Sequence, residues 1–204
     1  MFFSSERIRK NYESNRLADT GAAADRRGLL NGQGRPMLSG MRFGRSDVGR
    51  AGCESIAVYN AMLLLGRPRP LAEIIRDMEK GGYLRFGGRL GATPYLQRLL
   101  RRYGASARFV LPARLRREAG EGVLPPGAVF LMVIWNRFAL PHKGLHTFAV
   151  EYSPDGTGGW MVYNRFNSDS AGRRYDTLDG ILKNGRYNGA FFMIWRVERR
   201  KDGQ

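Results

Sequence analysis

Residues 54–65, ESIAVYNAMLLL, carry apolar side chains around almost the whole circumference of a helix. A helix that is apolar all round cannot rest on a surface, so this segment must lie at the centre of a core. Gly52-Cys53 opens it, and Gly66 and Pro68 stop it. Its one strongly polar residue, Asn60, is expected to satisfy a hydrogen bond inside the core and is assigned no chemistry.

Two further helices follow. Residues 70–80 start at Pro70 and close at Gly81-Gly82, with Leu71, Ile74, Ile75 and Met78 inside. The next has Thr93 as N-cap, Pro94 in its first turn, and Leu96, Leu99 and Leu100 inside, with Gly104 beyond its end. The periodicity then changes. Segments 107–111, 128–135, 146–152, 160–164 and 190–197 are short β-branched or aromatic runs bounded by Pro, Gly, Asn and Asp, and they read as strands. The turn-rich segment 153–159 predicts that the third and fourth of these pair as an antiparallel hairpin, and 176–182 predicts a short helix. Helices first and strands later give an α+β fold with an antiparallel sheet. In a chain of 204 residues this is one domain, 46–197. It is preceded by a basic arm, 1–45, either poorly ordered or draped over the domain, and followed by a basic tail, 198–204.

The net charge is +16, but 29 of the 34 basic residues are Arg, a bias that coding composition can produce as readily as function. The longest apolar run, Ala128–Trp135, is too short to span a bilayer, and the N-terminus lacks the pattern of a signal peptide, so a cytoplasmic protein is expected. Two His and one Cys offer no metal-ligand spacing, and the Gly-rich segment 87–93 lacks the ending of a phosphate loop, so neither metal nor other cofactor is indicated.

The single cysteine excludes an internal disulfide, which leaves a buried structural thiol or a nucleophile. Cys53 stands at the start of the central helix, where unpaired backbone N–H groups and the helix dipole favour a thiolate. The base must be a histidine, and only His142 and His146 exist. His142 falls in a loop, whereas His146 starts a strand and has a definite face, so His146 is the better base. Asn164, at the end of the adjacent strand, is placed to orient the imidazole.

The Gly-Cys opening a buried helix, then Gly-Leu-His-Thr-Phe-Ala-Val-Glu-Tyr, then Gly-Trp-Met-Val-Tyr-Asn-Arg-Phe, resembles the papain-like cysteine peptidases, and in size their compact bacterial branch with the double-glycine leader peptidases. The resemblance implies Cys53 as nucleophile, His146 as general base and Asn164 as its orienter, acting on an amide bond of a peptide or protein substrate through a thioester. Two positions depart from that pattern. The family's upstream Gln is absent from its usual place, since Asp47 occupies it and Gln33 lies twenty residues before Cys53; the Cys53 N–H and Ser46 are the remaining oxyanion donors. Glu54 also puts a negative charge beside the thiol. The same triad could serve an acyltransferase. A different expectation is an inert domain that binds nucleic acid or an acidic protein through Arg98, Arg101, Arg102, Arg116 and Arg117.

Overall fold

The structure is a computed structural model that describes residues 4–18, 20–81, 84–85, 90–91, 96–136, 144–153, 156–184 and 187–200. The helices used below are α1 (Ser5–Arg16), α2 (Cys53–Leu64), α3 (Leu71–Lys80), α4 (Leu96–Arg102) and α5 (Pro112–Gly120). The strands are β1 (Ala105–Phe109), β2 (Ala128–Trp135), β3 (Leu145–Tyr152), β4 (Trp160–Tyr163), β5 (Arg173–Tyr175) and β6 (Ala190–Arg199). They form one antiparallel sheet in the order β1-β6-β2-β3-β4-β5. The fold is α+β, with a buried helix packed on an antiparallel sheet.

The sheet has two apolar faces because neither is left to solvent. On one, Val129, Leu131 and Ala149 pack with Ile56, Ala57 and Ala61 of α2, and α3 and α4 close the cluster from behind through Ile74, Ile75, Leu99 and Leu100. On the other, Phe130, Met132, Ile134, Phe148 and Val150 meet Leu115 of α5 together with Leu178 and Ile181. Each fully buried aliphatic side chain here contributes about 2 kcal/mol relative to an exposed one. That double coverage explains why β2 is an unbroken apolar run rather than an alternating one.

α2 ends where the sequence stops it. Gly66 takes a left-handed conformation, φ +65°, and its N–H and that of Arg67 bond back to the Leu63 and Met62 carbonyls. Asn60 donates to the Leu30 carbonyl and accepts from the Leu30 N–H, both at 2.8 Å, and so has the structural role expected of it.

Several boundaries differ from expectation. The first strand runs over Ala105–Phe109 instead of 107–111, because the ladder begins directly after Gly104 and Leu111 serves as the extended N-cap of α5. α5 itself escaped notice, since Leu115 is its one buried residue. The short helix expected at 176–182 is a single 3-10 turn, Asp179–Leu182. Thr93 and Pro94 lie outside the described residues, as does most of segment 87–93. Glu198 and Arg199 complete β6, so the expected tail begins later.

The described part of the N-terminal arm is ordered and packed against the domain. Ser4 caps α1 by accepting from the Arg7 N–H. α1 is fixed to the body by amides: Asn11 donates to Glu79 at 2.6 Å and to the Gly44 carbonyl, while Asn15 bonds both the carbonyl and the N–H of Arg42. Leu29, Leu30 and Leu38 are fully buried. No helix among the described residues is long and apolar enough to cross a membrane.

Candidate active site around Cys53 and His146

Cys53 is the first residue of α2, and its placement depends on Gly52. A Cβ at position 52 would stand 2.6 to 2.8 Å from Val48 atoms, so only glycine lets the short helix Val48–Ala51 hand over directly to α2. Ser55 Oγ donates to the Gly52 carbonyl and steadies this joint.

α2 faces β3 through Thr147 and Ala149, which point to the helix side together with their cross-strand partners Val133 and Leu131. The half-buried thiol of Cys53 therefore meets Thr147, the residue that follows His146. Burial pushes this thiol up to about 11, against the lowering effect of hydrogen bonds from Thr147 and the Glu54 backbone; the Glu54 carboxylate pushes it further up. The expected thiolate at a helix N-terminus does not form at rest, because desolvation outweighs the helix end.

His146 is buried at the other side of the same peptide unit, in line with Phe148, whose ring centroid lies 5.8 Å from its own. Burial holds the imidazole down at about 4, with a smaller contribution from the Arg165 guanidinium. Its Nε2 stands 2.6 Å from the backbone carbonyl of Asn164. A carbonyl only accepts, so Nε2 carries the hydrogen and Nδ1 keeps the lone pair. Among the described residues no hydrogen bond joins Cys53 to His146. Both groups are neutral at pH 7, adjacent to one peptide unit but not joined.

Asn164 thus orients the imidazole, though by its main chain and not by the side-chain amide that the sequence suggested. It is fully buried with φ +62°, a left-handed conformation that Asn tolerates better than most side chains. Its amide is directed elsewhere. Asn164 Oδ1 accepts from the Gln33 N–H at 2.9 Å, Nδ2 donates to Gln33 Oε1 at 3.3 Å, and its N–H donates to Asn31 Oδ1 at 2.9 Å. Gln33 Nε2 in turn donates to the carbonyl of Gly49, four residues before Cys53.

Asn31 and Gln33 are the residues that sequence reasoning passed over. Gln33 was set aside for lying twenty residues from Cys53, yet the fold brings it between the approach to α2 and Asn164. Its trace in the sequence was a pair of amides, Asn31 and Gln33, directly after Leu29-Leu30 in an otherwise polar arm.

The other nominated residues are placed as follows. Ser46 sits in a two-residue strand opposite Phe43, and no hydrogen bond among the described residues links it to Cys53, His146 or Asn164. Asp47 caps the helix Val48–Ala51 by accepting from the Arg50 N–H. His142 lies outside the described residues. Arg98, Arg101 and Arg102 are exposed along α4 and Arg117 is exposed on α5, whereas Arg116 is engaged by Asp179 at 2.6 Å. No protein-family description, curated protein or solved structure matches the chain.

Proposed function

We propose that the chain is a papain-like cysteine hydrolase, a peptidase in which Cys53 attacks an amide carbonyl and His146 moves the proton. The observation that supports it most is the tautomer of His146. With Nε2–H held by the Asn164 carbonyl, Nδ1 keeps the lone pair that can accept a proton, while the thiol meets the neighbouring residue Thr147 on the opposite face of β3. In the first step the Cys53 sulfur bonds to the carbonyl carbon as Nδ1 takes the thiol proton. The tetrahedral adduct collapses to a thioester as that proton passes to the departing amine. Water, deprotonated by the same Nδ1, then releases the acid and restores the thiol. An amine in place of water makes the reaction an acyl transfer. Because both groups rest in their neutral forms, proton transfer accompanies attack, unlike in a preformed thiolate-imidazolium pair.

The test is covalent trapping with an epoxysuccinyl peptide, read by intact mass. Cys53 is expected to gain the adduct, and His146→Gln to slow its formation by about 100-fold or more, the usual contribution of a general base. Labelling at the same rate in the two proteins removes His146 from the mechanism; Cys53→Ala with undiminished amide hydrolysis removes Cys53 as the nucleophile and with it the cysteine-hydrolase reading.

A second reading, an inert domain for an acidic protein or nucleic acid, draws support from Arg98, Arg101 and Arg102. These three are exposed on one helix, and no carboxylate pairs with them among the described residues. Binding that weakens steeply with salt and is lost in the triple Arg→Gln variant, with Cys53→Ala harmless, selects this reading.

A further inference from the structure

Every polar atom of the buried Asn164 is engaged. Its carbonyl takes His146 Nε2–H, while its N–H, Oδ1 and Nδ2 are all held by residues 31–33. The same short segment is fastened to the other half of the molecule. Leu30 is hydrogen-bonded through both its N–H and its carbonyl to Asn60 in the middle of α2, and Gln33 reaches Gly49 just before that helix. Segment 30–33 therefore runs as a strap from the Cys53 helix to the residue that holds the imidazole. It touches neither the sulfur nor the ring among the hydrogen bonds described.

We infer that Asn31 and Gln33 are positioning residues, which fix Asn164 in its left-handed conformation so that its carbonyl selects the Nε2–H tautomer of His146. The inference rests on His146 being the base. A carbonyl that could swing would let the imidazole exchange between tautomers, and in the Nδ1–H form the lone pair that the proposed proton transfer uses is lost. Three hydrogen bonds to one buried residue, from two side chains and one N–H of a segment 131 to 133 positions away, exceed what a turn needs to close. Glycine would adopt the same φ without any of them.

The test is the tautomer itself, read from the ring nitrogen shifts of His146 in 15N-labelled protein, with the signal assigned by comparison with His142→Gln. The wild-type chain is expected to show one tautomer with Nε2–H at pH 7. Asn31→Ala combined with Gln33→Ala is expected to show a mixture, with kcat on a peptide amide lowered about 10- to 100-fold and KM little changed. Should that double variant not fold, Asn164→Gly serves in its place: it keeps the carbonyl and the backbone conformation, removes the side-chain clamp, and is expected to give the same mixture. A single Nε2–H tautomer in a folded strap variant overturns the inference, whether or not the chain hydrolyses anything. Hydrolysis that survives Cys53→Ala instead overturns the cysteine-hydrolase reading and leaves the tautomer measurement to decide the role of the strap.

Discussion

Acid should unfold this protein partly through one imidazole. An ordinary histidine protonates near 6.5, and burial holds His146 at about 4 in the folded chain. Between those values the unfolded chain binds a proton that the folded chain does not, so stability present above pH 6.5 is lost as the pH falls towards 4. At about 1.36 kcal/mol per pH unit, the interval from 6.5 to 4 corresponds to about 3 kcal/mol, of which about 2 kcal/mol is gone by pH 4.5. That is a large part of the ~5–15 kcal/mol typical of a folded domain. The perturbation is His146→Gln, which removes the titration. Urea unfolding at pH 7 and at pH 4.5 gives the drop in stability for each protein, and the groups common to the two proteins contribute to both drops alike. The wild-type drop should exceed that of His146→Gln by about 2 kcal/mol. Equal drops would refute the burial argument and, with it, the claim that His146 rests neutral.

Three other outcomes follow from the same structure. With its thiol raised from 9.0 to about 11, Cys53 should react with iodoacetamide about 100-fold more slowly at pH 7.5 than a free cysteine, with an alkylation profile still rising at pH 10; a profile that levels near pH 8 contradicts the desolvated thiol. Asn60→Ala strips both bonds from Leu30 and should cost about 2–4 kcal/mol by chemical denaturation, since two buried backbone groups are left bare. Burial raises the Glu79 carboxyl despite its bonds from Asn11 and Gly44, so the folded chain holds that proton at pH values where the unfolded chain has released it. Stability from this group is present below about pH 4.5 and is lost as the pH rises through the folded value, and Glu79→Gln should flatten that loss in unfolding curves taken from pH 4 to 8.

The parts of the fold that were legible in the sequence are those ruled by apolar periodicity. α2, α3, β2, β3 and the β3-β4 hairpin stand where a run or a repeat of large apolar residues dictated them. α1 was not legible, because its docking is done by Asn11 and Asn15, and an amide gives no periodic signal that distinguishes a core partner from a solvated surface. The site divides in the same way. Cys53 at a helix start and His146 on a definite strand face were visible as local features. The use of the Asn164 carbonyl in place of its amide was not, since that follows from a single left-handed residue, and the contribution of Gln33 required knowing that the arm folds back across 131 positions. The charge near the thiol is legible from the sequence alone: Glu54 disfavours the thiolate, and burial disfavours it more.

The order of the sheet has a consequence for how the molecule comes into being. β6, the last strand of this sheet in chain order, lies between β1 and β2, the first two. Among the described residues β1 has no other neighbour in the sheet, so until β6 is available β1 lacks a described partner and β2 presents one bare edge. A nascent chain that lacks β6 would display an open hydrogen-bonding edge on a strand as apolar as Ala128–Trp135, the kind of edge on which chains associate with one another. Assembly of the sheet therefore waits for β6, and a chain cut within β6 should be found in aggregates or in the grip of a chaperone rather than as a weakened native protein.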